Sequence, residues 1–214
     1  MTAPAAQDDV QLWVVSLEDP DALARVSPHL SPDEAARARR FLSPEHGRRF
    51  TVARGVLRAI LGSCLDRPPA EVELEYEPHG RPRVGGADAG RVRFNLSHSC
   101  EVALVAVTRA RAVGVDVERV RPVPNAPAIA RRYFAVAEQA AFAAAPEAEA
   151  SRAFLSGWTR TEAFLKAIGL GLGTPPPGER ARFSLRDLAP MPGYVGALAV
   201  EGDGWDVVTR MWRP

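Results

Sequence analysis

Apolar and polar positions change period several times along this chain, and the changes outline a mixture of strands and helices. Residues 11–17 (QLWVVSL) predict a first strand. Ser31-Pro32-Asp33-Glu34 predicts a helix start, with serine as the cap, proline at the first helical position and glutamate at the third. That helix runs to about Phe41. A second begins near Ser43-Pro44-Glu45 and carries Phe50, Val52, Val56, Leu57, Ile60 and Leu61 at helical spacing. Residues 72–76 alternate as a short strand, and a turn-rich stretch, 77–90, follows with four glycines and two prolines.

Three β segments then lie close together at 92–96, 102–108 and 113–118. Their short loops predict antiparallel meander connections. Residues 119–127 (RVRPVPNAP) are proline-rich and predict a linker. Beyond it, helical patterns cover about 128–133, 136–144 and 150–168, and Gly169, Gly171 and Gly173 stop the last of them. TPPPGER is a loop, and 183–185, 194–200 and 205–211 are candidate strands. The order predicts an α+β protein rather than a regular βαβ series. It divides into an N-terminal α+β subdomain (1–118), a linker (119–127) and a C-terminal α+β subdomain (128–214).

Composition narrows the function classes. With 214 residues, 46% apolar and 25% charged, the chain can bury a real core, which excludes general disorder. No run of eighteen apolar residues predicts a membrane span, and the polar, acidic N-terminus does not read as a secretory signal. A net charge of +1 gives no global basic field for nucleic acid. Two cysteines make neither a disulfide framework nor a zinc site, so a reduced cytoplasmic setting is expected. Of 27 basic residues, 26 are arginine, a skew that reflects codon usage; the exception is Lys166.

Three blocks carry candidate chemistry. In Val113-Gly114-Val115-Asp116-Val117-Glu118, strand alternation puts Asp116 and Glu118 on the face opposite Val115 and Val117. Such paired carboxylates suit a hard divalent cation such as Mg²⁺, or form a polar edge neutralised by Arg119 or Arg121. Trp158, Glu162 and Lys166 recur at i, i+4, i+8 and share a stripe. That is either a surface helical ion pair or a third metal carboxylate beside a cation for phosphate. Phe94-Asn95-Leu96-Ser97-His98-Ser99 ends a strand in a polar cluster, with His98 as a phosphate ligand or a structural hydrogen-bonding residue. No G-x-S-x-G elbow, P-loop or Rossmann fingerprint accompanies them. Arg37, Arg39, Arg40, Arg48, Arg49, Arg54 and Arg58 crowd the early helices, where most read as solvated faces and a few as phosphate forks.

Taken in order, these blocks resemble the 4'-phosphopantetheinyl transferases of the Sfp type. Phe94 to Ser99 resembles the F-N-[LI]-S-H-S block, Gly114 to Glu118 the G-[VI]-D-[VI]-E block, and Trp158 to Lys166 the W-[ST]-x-K-E-[AS]-x-x-K block. Gly80-Arg81-Pro82, the glycine-rich stretch from Gly169, and Tyr133-Phe134 with Glu138 also fall where that family has counterparts. The likeness covers about residues 12–199. One position departs: Thr161 stands where the family has lysine.

The resemblance implies a pseudo-dimer of two similar α+β halves with the active site between them. It implies a monomer that moves phosphopantetheine from coenzyme A to a serine of an acyl or peptidyl carrier protein, in fatty-acid, polyketide or nonribosomal-peptide synthesis, releasing 3',5'-ADP. By the same carry-over, Asp116, Glu118 and Glu162 hold Mg²⁺, and Lys166 contacts the transferred phosphate or passes a proton. Glu162 or a metal-bound water takes the serine proton. Arg37, Arg49, Arg81, Ser97 and His98 hold the coenzyme A phosphates and adenine, and Glu138 is a weaker site candidate. Thr161 leaves a second reading, a coenzyme A-binding protein with lost catalysis. A scaffolding protein, for which every block would be surface decoration, is the third.

Overall fold

A computed structural model describes residues 9–77 and 80–214. The polar N-terminus, 1–8, and two positions of the turn-rich stretch, 78 and 79, lie outside the described residues. The first strand, β1 (Val10–Ser16), leads into α1 (Pro20–Val26), which the apolar pattern did not predict. Its signal was the cap: the Asp19 carboxylate accepts from the amides of Asp21 and Ala22 at 3.0 and 3.3 Å. The helix α2 (Pro32–Arg39) starts at the expected capping box, with Ser31 and Glu34 bonded reciprocally. It is followed by α3 (Pro44–Leu65), the long helix of the first half.

Arg54 and Arg58 of α3, expected among solvated faces, are buried. The cause is Glu34, whose carboxylate faces inward and takes Arg58 Nε at 2.5 Å and lies 3.4 Å from Arg54 Nε. Arg58 also donates to the Val72 carbonyl at 2.9 Å, so it ties α2, α3 and the segment after α3 together. Removing one partner of a buried pair strands the other charge. Arg58→Ala is therefore expected to cost about 3–5 kcal/mol of stability, read as a fall in the urea midpoint.

A small hairpin of β2 (Leu74–Tyr76) and β3 (Pro82–Val84) occupies the turn-rich stretch. Then come β4 (Arg93–Ser99) and β5 (Val102–Thr108), paired antiparallel as expected. The meander ends there. The next strand, β6 (Val113–Arg119), leaves the sheet and pairs with a strand near the end of the chain. After α4 (Ala126–Tyr133), α5 (Val136–Ala143) and α6 (Ala150–Ile168) come β7 (Phe183–Leu188), β8 (Tyr194–Glu201) and β9 (Val207–Met211). Gly169 closes α6 in the left-handed conformation, at φ 71°.

The first sheet has the order β4-β5-β1-β9 and the second β6-β8-β7, each covered by one long helix. Val52, Val56, Leu57 and Leu61 of α3 pack on Val15, Ala103 and Val105 of the first sheet. Ala163, Phe164 and Ala167 of α6 pack on Ala197 and Ala199 of the second. Between the sheets, Leu12, Val14 and Leu104 meet Val113, Val115, Val117 and Leu198. This is an α+β arrangement of two helix-on-sheet halves. Two exchanges cross it. β6, which lies before the predicted linker, is bonded to β8, and β9 lies parallel to β1 in the first sheet.

Candidate active site

The two sheets meet edge to edge along β4 and β6, and side chains do the joining. Asn95 Oδ1 accepts from the Val115 amide at 2.9 Å. Ser97 Oγ donates to Asp116 Oδ1 at 2.7 Å, and Ser99 Oγ donates to Glu118 Oε2 at 2.9 Å. Asn95, Ser97 and Ser99 therefore form a polar ladder whose rungs fix the two acidic residues. Alternation of polar residues on β4 was the signal for it, and Asn95 and Ser99 are the members that the sequence reading gave no role.

From the other side α6 lies directly on β6. A Cβ on Gly114 would fall 2.0 Å from the Ala163 carbonyl oxygen and 2.4 Å from the Ala167 amide nitrogen, so only glycine permits this approach. The closeness brings Lys166 across to the strand. Its ammonium donates to Asp116 Oδ1 at 2.5 Å and to Ser97 Oγ at 3.0 Å. The helical ion pair of Glu162 with Lys166, one of the two readings of the stripe, does not form as a hydrogen bond or ion pair among the described residues. Lys166 gains more from the buried carboxylate of Asp116, 7% exposed, than from a partner in higher dielectric.

The carboxylates are poised. Burial raises the Asp116 pKa, against the pull of Lys166. Burial also raises that of Glu162, with Lys166 opposing and the negative charges of Asp116 and Glu118 adding to it. Asp116 Oδ2 is buried with no hydrogen-bond partner among the described residues. Glu118 is occupied by Ser99 and by Arg121 Nη1 at 2.8 Å. No three His, Cys, Asp or Glu side chains among the described residues are gathered as a ready-made metal cage. An orphaned carboxylate oxygen, on a residue whose negative charge also acts on Glu162, is the kind of oxygen donor that suits a hard divalent cation.

Next to this cluster lies a cleft of about 440 Å³ lined by Arg37, Phe41, Arg49, Phe50, His98 and Cys100, among others. Arg37 lies over the Phe50 ring at 5.1 Å, and Arg49 pairs with Glu18 and Glu45 at 2.6 and 2.5 Å. Thus Arg37, Arg49 and His98 share one cleft, while Ser97 sits in the acidic cluster. Arg81 does neither: it lines a separate cleft with Ala167 and Gly169, and its Nη2 reaches the Val113 carbonyl at 3.5 Å. Glu138 lies on the far flank of α6, paired with Arg180.

Comparison with known proteins gives the geometry its context. The family model described as 4'-phosphopantetheinyl transferase superfamily matches residues 112–196, and that described as 4'-phosphopantetheinyl transferase, N-terminal, matches residues 17–110. The chain is 40% identical to the 4'-phosphopantetheinyl transferase HetI of Nostoc sp., over 96% of this chain and 92% of that one. It belongs to the 4'-phosphopantetheinyl transferase family. A putative 4'-phosphopantetheinyl transferase of Synechocystis sp. is 30% identical, over 76% of this chain and 65% of its own length. The 4'-phosphopantetheinyl transferase psf-1 of Bacillus pumilus is 30% identical, over 73% and 66% respectively. The two matched regions fall one on each helix-on-sheet half, so the α+β fold is that of the family, and the enzyme class is phosphopantetheinyl transferase. Among the described residues no helix is long and apolar enough to cross a membrane.

Proposed function

We propose that this phosphopantetheinyl transferase moves the phosphopantetheine arm of coenzyme A to a carrier-protein serine through the Asp116, Glu118, Glu162 and Lys166 cluster. The observation that carries the reading is Lys166, the chain's single lysine, set on the buried carboxylate of Asp116 where the two halves meet. Asp116, Glu118 and Glu162 would hold Mg²⁺, which would screen the pyrophosphate charge that otherwise repels the incoming hydroxyl.

The chain's own groups then divide the work. Arg37, Arg49 and His98 bind the phosphates of coenzyme A in the cleft. The carboxylates now paired with Arg49 are on exposed side chains, and pairs of that kind are weak enough for a phosphate to displace. Glu162 is the proposed base. Asp116 is engaged by Lys166 and Ser97, and Glu118 by Ser99 and Arg121, whereas Glu162 is free of such bonds among the described residues. As the serine oxygen bonds to the phosphorus that carries pantetheine, its proton passes to Glu162. The bond from that phosphorus to the bridging pyrophosphate oxygen breaks, and 3',5'-ADP leaves with the electron pair. Lys166 stabilises the charge that develops on the phosphate oxygens.

A cytoplasmic monomer is the proposed working state, consistent with two free cysteines. The test is an incubation of apo acyl and peptidyl carrier proteins with coenzyme A and Mg²⁺. The expected result is a mass gain of one phosphopantetheine group, abolished by chelation and slowed about 100-fold or more by Glu162→Gln. No gain across a broad carrier panel would overturn the reading. Coenzyme A binding without turnover would favour a binding protein instead, a reading that the family membership does not favour.

A further inference from the structure

The α6 motif departs from the Sfp pattern at Thr161, and the departure has a structural counterpart nearby. Thr161 is buried, and its hydroxyl donates to the Gly157 carbonyl at 3.0 Å. Its side chain lines a cavity of about 320 Å³ shared with Phe134, Glu138, Phe164 and Arg180. Glu138 caps α5, its Oε2 accepting from the Ala135 amide at 3.0 Å, and its side chain is only 9% exposed. A carboxylate with so little side-chain exposure is held best by a cation. Arg180 provides it, Nη2 to Oε1 at 3.0 Å, with its guanidinium 4.9 Å over the Phe164 ring. Arg180 comes from the short 3₁₀ turn Glu179–Arg182 that precedes β7.

We propose that Arg180 supplies, from this turn, the cation that the Sfp pattern carries at position 161, and that it is a positioning residue for the Glu162 turn of α6. The activity half of this inference rests on the transferase reading above. A lysine at 161 would enter the cavity that already holds the Glu138 carboxylate, and the flexible four-carbon stem could carry its ammonium to that group. With threonine there, the space stays open and the charge arrives from another element. The consequence reaches Glu162 through its neighbours. Ala163 and Ala167 press α6 on Gly114 of β6, while Thr161 and Phe164 face the Glu138–Arg180 pair. The turn that carries Glu162 is thus held between two walls. Loss of the cation leaves a partly buried carboxylate without its ion pair, and the second wall relaxes away from the helix.

The experiment compares melting and steady-state kinetics for the wild type, Arg180→Ala, Thr161→Lys and the double variant. Arg180→Ala is expected to lower Tm by about 5 °C or more and kcat about tenfold, with the KM for coenzyme A within about twofold. Thr161→Lys alone places a second cation beside Arg180 and is also expected to melt below the wild type. The double variant should recover both Tm and kcat, to within about threefold of wild-type kcat. A double variant no more stable and no more active than Arg180→Ala overturns the exchange of cations. Recovery of Tm with kcat still tenfold down overturns the positioning role. A wild type without turnover would overturn the transferase reading alone, and the melting pattern would still decide the exchange.

Discussion

Lys166→Arg is expected to keep the fold and the positive charge and still lose about 100- to 1,000-fold in kcat. The reason is the room around the ammonium. Nζ contacts Asp116 Oδ1 at 2.5 Å and Ser97 Oγ at 3.0 Å, and those two oxygens are themselves bonded at 2.7 Å. One compact donor fits against both. A planar guanidinium is broader, spreads its charge over three nitrogens, and does not release a proton. Arginine would either push Ser97 off Asp116 or withdraw toward solvent, and in both cases the charge moves away from the phosphate. The measurement is kcat for carrier modification beside a thermal melt. Wild-type turnover would reduce the chain's single lysine to an accident of codon use.

The second large effect is expected from Gly114→Ala, a change of one methyl group at a residue that itself takes no part in the proton transfer. The new Cβ would meet backbone atoms of Ala163 and Ala167 at 2.0 and 2.4 Å, distances that no side-chain rotation relieves. Either β6 or α6 must give way by more than 1 Å, roughly the shift that costs 100-fold when it separates reacting groups. Asp116 and Glu118 lie on the strand, and Glu162 and Lys166 on the helix, so the displacement opens the cluster along its seam. A loss of about 1–3 kcal/mol in stability is expected from the overpacking, together with a fall in kcat of about 100-fold. Unfolding in urea and the mass-gain assay read the two effects separately. A variant with full activity would show that the approach of α6 to β6 is not what assembles the site.

These two residues also show what the sequence made legible. Local signals were strong where a few neighbouring residues decide the outcome. The capping box at Ser31 and Glu34, the helix α6 and its stop at Gly169 all appear where the pattern put them. The placement of β6 was not legible, because a short loop after β5 resembles a hairpin. What decides it is distant: β8 as partner, the valines that face the first sheet, and α6 pressed on Gly114. The site divides in the same way. Residue types and spacing singled out Asp116, Glu162 and Lys166. They did not reveal that Lys166 turns from its helix neighbour to the strand, or that Ser97 belongs with Asp116. Nor did they separate Arg58, buried on Glu34, from Arg49, which lines the cleft, since both lie on α3 with like neighbours.

The return of β9 to β1 bears on how the molecule comes apart. The strand runs parallel to β1 from Val10↔Val207 to Val14↔Met211, so the first sheet is completed by a strand far along the chain. Its partner across the molecule, β6, waits similarly for β8. A ribosome-bound chain therefore holds two unpaired strand edges until β8 and β9 have emerged, and neither half has a finished sheet of its own. A cut in the 120–125 segment would yield fragments that complement each other, as the pieces of a split reporter do, rather than two independently folded units.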